Sequence, residues 1–237
     1  ESPLLAVADT FRAAAIEQAR DAEAEGADAI IVFPVSAFQA CPLDPEIPYQ
    51  YHKAIAQAVD LPMLLFQLQQ VLGGVEYTRE VLFRLTEIDT VVGIKDASFD
   101  ARKFVQTAAI LDQAPRKITL LTGNDNFILH SFILGAEGAL IGFGTLATAL
   151  QVQMFHAAKA RDYETAFRIS NIVQPLSDVI FAPPVPNYRA RTKEALVMQS
   201  VLPNAHVRPP LLPISAEERE VVRQAMERAG QLEGVHA

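Results

Sequence analysis

Six short apolar runs alternate with stretches of helical character, and this alternation limits the possible folds more than any other feature of the chain. The runs occupy residues 4–7, 29–33, 62–66, 91–95, 118–122 and 138–142. Ala29-Ile30-Ile31-Val32-Phe33 is apolar at every position, the pattern of a strand covered on both faces. Between the runs lie helical segments with recognisable ends. Asp9 or Thr10 can cap a first helix, with Ala13, Ile16, Ala19 and Ala22 as its apolar face, that runs through Ala24 and stops at Gly26. Further helices are expected at about 49–59, at 78–85 with Thr78 as cap, at 101–111 and at 127–134. Phe143-Gly144-Thr145 reads as a flexible loop. From about Ala147 onward the chain reads as helical, with breaks expected at Pro175, at Pro183-Pro184-Val185-Pro186 and at Val207-Arg208-Pro209-Pro210.

Strands that alternate with helices require a parallel sheet, right-handed crossovers and a ligand site at the carboxyl ends of the strands. An open doubly wound sheet and a (β/α)8 barrel both satisfy this. Six strands favour the open sheet, because a barrel needs eight. The absence of a nucleotide fingerprint argues the other way: Gly142-Phe143-Gly144 lacks the third glycine of the dinucleotide motif.

Composition removes several function classes. At 237 residues, half of them hydrophobic, a single domain can bury a full core. No apolar run nears the roughly 20 residues of a membrane helix, and Glu1-Ser2-Pro3 does not read as the start of a signal peptide. No membrane partner and a cytoplasmic location are therefore expected. The lone Cys41 leaves no internal disulfide and no cysteine-cluster metal site. His52, His130, His156, His206 and His236 lie far apart with no carboxylate at metal spacing, so neither a metal nor another cofactor is expected. A net charge of −8 disfavours nucleic acid as a partner. No Gly-x-Ser-x-Gly elbow marks a serine hydrolase.

The chemistry-bearing candidate is Val91-Val92-Gly93-Ile94-Lys95-Asp96-Ala97-Ser98. Its lysine closes an apolar strand, where partial burial disfavours the ammonium form, and a neutral amine is the nucleophile that forms Schiff bases with carbonyl substrates. A strand-end lysine can equally pack its stem on apolar neighbours and hold its head in water. Asp96, next along a strand whose side chains alternate, is expected to face away from the lysine.

Five motifs follow in order: Glu25-Gly26-Ala27-Asp28-Ala29, Gly93-Ile94-Lys95-Asp96-Ala97-Ser98, Leu121-Thr122-Gly123-Asn124-Asp125, Gly135-Ala136-Glu137-Gly138-Ala139-Leu140-Ile141 and Val207-Arg208-Pro209-Pro210-Leu211. Together they resemble the dihydrodipicolinate synthase and N-acetylneuraminate lyase family of class I aldolases. The resemblance runs along essentially the whole chain. It implies a (β/α)8 barrel with a C-terminal helical extension, with residues 4–7 as strand 3 and strands 1 and 2 upstream of Glu1. Residues 1–146 would supply barrel units 3 to 8, and 147–237 the last barrel helix and the helical extension. It further implies a lyase or aldolase acting on a pyruvate-like 2-oxo acid through a Schiff base on Lys95. Thr122, Gly123, Asn124, Leu140 and Phe143 would bind substrate, and the protein would be a homo-oligomer, a dimer or tetramer.

The departures from the family pattern bear on the chemistry. Where the family carries a proton-relaying tyrosine, this chain has Phe66. Val71 stands at a carboxylate-binding arginine position, and Val35-Ser36 follows Pro34 where a tyrosine pair is usual. These changes argue against dihydrodipicolinate synthase itself. They also raise an alternative, a non-catalytic relative that binds a small acid or serves as a structural subunit. Ser98, Thr122, Thr145, Tyr49 and Tyr51 are the hydroxyls that could stand in for the lost relay.

Overall fold

The computed structural model describes residues 4–7, 12–39 and 43–232. The expected caps Asp9 and Thr10, together with Cys41 and His236, lie outside the described residues. In chain order the elements are β1 (Leu4–Val7), α1 (Arg12–Ala24), β2 (Ala29–Val32), α2 (Glu46–Ala56), β3 (Met63–Leu68), α3 (Arg79–Leu85), β4 (Val91–Ala97), α4 (Ala101–Leu111), β5 (Thr119–Thr122), α5 (Ile128–Ile133), β6 (Gly138–Ala139), α6 (Thr148–Lys159), α7 (Tyr163–Ile180), α8 (Tyr188–Met198) and α9 (Ala216–Arg228). The chain divides into two compact units. One comprises Glu1–Asn124 with Leu134–Ala139, the other Asp125–Ile133 with Leu140–Ala237.

The first unit holds the sheet. All pairings are parallel and the spatial order is β1-β2-β3-β4-β5-β6, identical to the chain order. A doubly wound sheet reverses its order at a switch point, whereas barrel units succeed one another without reversal. The sequential order therefore decides between the two architectures in favour of barrel-type βα units, against the strand-count argument. Helices α1 to α4 touch in the same succession. The buried stripe of α1 is Ala15, Ala19 and Ala22: the expected Ala19 and Ala22 are buried, while Ala13 is exposed, Ile16 half-buried, and Ala15 joins the stripe instead. Gly26, at φ +81°, ends α1 with its N–H on the Glu23 carbonyl and the Ala27 N–H on Ala22, a Schellman motif that needs a left-handed residue.

Several boundaries differ from the sequence reading. Helix α2 begins at Glu46, placing Pro48 in the first turn, where a missing N–H costs nothing. The sixth strand is paired only over Gly138–Ala139, because its partner β5 ends at Thr122 and no ladder continues beyond it. Residues Gly142–Thr145 form a 3-10 turn with Phe143 fully buried, not a loose loop.

In the second unit, Pro175 sits inside α7 and does not break it. A mid-helix proline costs about 3 kcal/mol. Here Ile169, Val173, Leu176 and Ile180 are all buried along one stripe, and tertiary packing of that stripe outweighs the lost hydrogen bond. The breaks at 183–186 and 207–210 are present as a 3-10 turn and a loop. Arg191, only 3% exposed, ties the helices together. Its Nε donates to Glu218 at 2.5 Å, and its Nη1 to the carbonyls of Ile180 and Ala182 at 3.0 and 2.5 Å.

Candidate active site around Lys95

Register places Lys95 of β4 beside Phe66 of β3 and Leu121 of β5. Opposite residues of parallel strands share a face, so Leu64, Phe66, Gly93, Lys95, Thr119 and Leu121 line one side. Leu65, Gln67, Ile94, Asp96, Leu120 and Thr122 line the other, and every one of these is buried. Lys95 is half-buried. Its Nζ lies 4.4 Å from the centroid of the Phe66 ring, which in turn meets Phe33 edge-to-face at 4.7 Å. On β5 the turn begins with a glycine for a steric reason. A Cβ at Gly123 would fall 2.6 Å from Lys95 Cε and 2.8 Å from Ala97 Cβ. Glycine at 123 and the ring of Phe66 thus border the lysine stem and head.

Asp96 organises the opposite face. Fully buried, its carboxylate accepts from Gln67 Nε2, from Thr107 Oγ1 at 2.9 Å, and from the Ser98 N–H and Oγ at 3.0 and 2.7 Å. Asn124, also fully buried, donates to the Asp96 carbonyl at 2.9 Å and accepts the Phe99 N–H at 2.6 Å, holding Phe99 at φ +57°. The expectation that Asp96 faces away from Lys95 agrees with these contacts. Its work is to bind the ends of β3, β4 and β5 and helix α4 into one hydrogen-bonded knot. Alternation along the strand indicates the direction of Asp96, but its partners Gln67 and Thr107 lie 29 and 11 residues from it and carry no local signal.

Lys95, Phe66 and Gly123 are thereby brought together. Thr122 and Asn124 lie in the same unit, and their polar atoms are engaged with one another, Asn124 N–H reaching Thr122 Oγ1 at 3.1 Å. Leu140 and Phe143 belong to the other unit. Leu140 is half-buried. The Phe143 N–H donates to Asp125 Oδ1 at 2.7 Å, and the Phe143 carbonyl accepts from Gln151. The hydroxyls considered as relay substitutes are variously placed. Ser98 is bonded to Asp96, and Thr145 is exposed beside the Gly142 carbonyl. Tyr49 lies under the Arg84 guanidinium at 3.6 Å, and Tyr51 packs edge-on against Phe38. Val35 is buried and Val71 is 81% exposed.

A second buried cluster lies around α2, where His52 is a core histidine. His52 is fully buried with Nδ1 2.7 Å from the Pro48 carbonyl, and desolvation lowers its pKa to about 4. Its ring centroid is 6.3 Å from that of Tyr77, whose phenol burial pushes up. Neither His52 Nε2 nor Tyr77 Oη meets a hydrogen-bond partner among the described residues. In the same described set no group of His, Cys, Asp and Glu side chains is placed to hold a metal ion, and no helix is long and apolar enough to cross a membrane.

A sequential parallel sheet with a half-buried lysine at a strand end defines a barrel-type α/β protein with a candidate amine nucleophile. A profile of the Dihydrodipicolinate synthetase family matches residues 9–229, and the chain belongs to that family. It is similar to 4-hydroxy-tetrahydrodipicolinate synthase 2 of Clostridium acetobutylicum, 31% identical over 172 residues, 73% of this chain and 58% of that one. It is also similar to 4-hydroxy-tetrahydrodipicolinate synthase of Moorella thermoacetica, 32% identical over 93% of this chain and 72% of that one. Among solved structures, the chloride-inhibited dihydrodipicolinate synthase of Acinetobacter baumannii, complexed with pyruvate, superposes with a TM-score of 0.84. That protein is 27% identical over 98% of this chain and 76% of its own. The chain thus spans between about three-fifths and three-quarters of the length of these relatives.

Proposed function

We propose that the protein is a class I lyase or aldolase that captures a pyruvate-like 2-oxo acid as an imine on Lys95. The observation that carries this reading is the placement of Lys95: half-buried at the carboxyl end of β4, with its head against an aromatic face and its stem against a glycine. Relatives named as synthases of this family, one of them solved with pyruvate, support the substrate class. The amine attacks the 2-oxo carbon. The carbonyl oxygen departs as water, and the resulting iminium draws electrons from the adjacent carbon. Thr122 and Asn124 set the shape of the β5 turn through their mutual hydrogen bonding, and Gly123 presents backbone to the substrate.

The reaction differs from that of dihydrodipicolinate synthase in its proton handling. Phe66 has no hydroxyl, and a positioned acid–base group is worth about 10²–10⁴ in rate. A substrate carboxylate or a water molecule takes over that transfer. Borohydride reduction in the presence of pyruvate and a panel of 2-oxo acids tests the reading. Mass spectrometry should place the reduced adduct on Lys95, and no adduct with any of them refutes it.

The lost hydroxyl at Phe66 also favours a second reading, a small-acid-binding or structural relative without turnover. Thermal stabilisation by a 2-oxo acid that persists in Lys95→Ala, with no borohydride labelling of the native chain, would establish that alternative.

A further inference from the structure

We propose that the face of Phe66 is the electrostatic partner of the Lys95 nitrogen during imine formation, favouring the charged iminium over the neutral carbinolamine that precedes it. The inference deepens the Schiff-base reading of Lys95 and rests on it. Three observations carry it. The ring centroid is 4.4 Å from Nζ, inside the roughly 6 Å over which a ring quadrupole attracts a cation. Phe66 is 3% exposed and braced edge-on by Phe33, so the ring is fixed and dry, conditions in which such attraction is strongest. Gly123 flanks Cε so closely that no side chain could intervene there.

The electron and proton count shows where the ring acts. The neutral amine of Lys95 forms a C–N bond to the 2-oxo carbon as the carbonyl π pair moves to oxygen. A proton transferred from nitrogen to oxygen gives the neutral carbinolamine. The nitrogen lone pair then expels the hydroxyl, which leaves as water after taking one proton from the medium, and the iminium carries the positive charge. Addition charges the nitrogen only until its proton moves to oxygen, whereas dehydration leaves a positive charge on the nitrogen beside the ring in the covalent product. The ring therefore stabilises the product of dehydration relative to the carbinolamine, and it also slows loss of the iminium to the neutral enamine. At this position a phenyl group replaces proton transfer by electrostatic stabilisation of the covalent complex.

The test substitutes Phe66 with 4-fluoro-, 3,5-difluoro- and pentafluorophenylalanine, which keep the shape of the ring while progressively weakening its quadrupole. Pyruvate is the probe, and the readout is the pyruvate concentration giving half-maximal borohydride-trapped Lys95 adduct at equilibrium. That concentration should rise stepwise, reaching about tenfold for the pentafluoro ring, with unchanged thermal denaturation. Phe66→Leu should match the pentafluoro protein once its own denaturation curve shows it folded. A half-maximal concentration that stays constant across the fluorinated series overturns the proposal even though the adduct forms. Absence of adduct in the native chain with every 2-oxo acid instead overturns the Schiff-base reading beneath it.

Discussion

Replacing Gly123 by alanine should separate the lysine from its working position while leaving the fold in place. An ideal Cβ at 123 lies 2.6 Å from Lys95 Cε, 2.8 Å from Ala97 Cβ and 3.2 Å from the Asp96 carbonyl oxygen. Carbon atoms in contact sit about 3.5–4.0 Å apart, so relief requires movement of about 1 Å. Ala97 Cβ is attached to the strand and yields little, while Cε is near the end of a flexible stem and yields readily. The lysine therefore takes most of the displacement. Overpacking of this kind costs about 1–3 kcal/mol of stability. A misplacement of about 1 Å at a reacting group costs about 10² in rate, which is about 2.7 kcal/mol of barrier. The assay is the initial rate of borohydride-dependent incorporation of pyruvate at Lys95, with denaturant unfolding measured in parallel. Gly123→Ala should trap about a hundredfold more slowly while unfolding cooperatively. Gly144→Ala is the control, since a Cβ there meets only Ile141 Cγ1 at 3.5 Å, an ordinary contact. Trapping by Gly123→Ala at the native rate would refute the argument that this glycine positions the lysine.

Three further outcomes follow from buried polar groups. Burial pushes the His52 imidazole down to about 4 from its ordinary 6.5. Its folded pKa is depressed, so its contribution is fully present above pH 6.5 and is lost as the pH falls towards 4. The loss amounts to about 3 kcal/mol at about 1.4 kcal/mol per unit. Urea titrations at pH 7 and pH 4 should show His52→Phe losing about 3 kcal/mol less than the native chain over that interval, and parallel losses would contradict the burial argument. Asp96→Ala strands donors from Gln67, Thr107 and Ser98 in the interior. It should lower unfolding free energy by about 3–5 kcal/mol, measured in urea, and a loss below about 1 kcal/mol would show that the knot does not hold the strand ends. Arg191→Leu removes a buried cation from Glu218 and from two carbonyls. A drop of about 3–5 kcal/mol is expected by the same measurement, and a neutral effect would mean that α7, α8 and α9 hold together without it.

Local sequence sets the alternation of strand and helix, most helix ends, and the lysine near the end of β4, which runs on two residues past it to Ala97. These are local properties: period, the Thr78 cap and a left-handed glycine at 26 act within a few residues. Sequence also gave the direction of Asp96, because alternation along a strand is a local rule. That the strands succeed one another without reversal is a matter of long-range contact, since strand order depends on which edges meet, and two architectures share one local pattern. Tertiary structure also decides that α7 continues through Pro175, where the packed stripe from Ile169 to Ile180 outweighs a local breaker. The same holds at the lysine. Sequence could name Lys95, Phe66 and Gly123 separately, but β3, β4 and β5 bring them within contact distance through register, and register is set by the whole sheet.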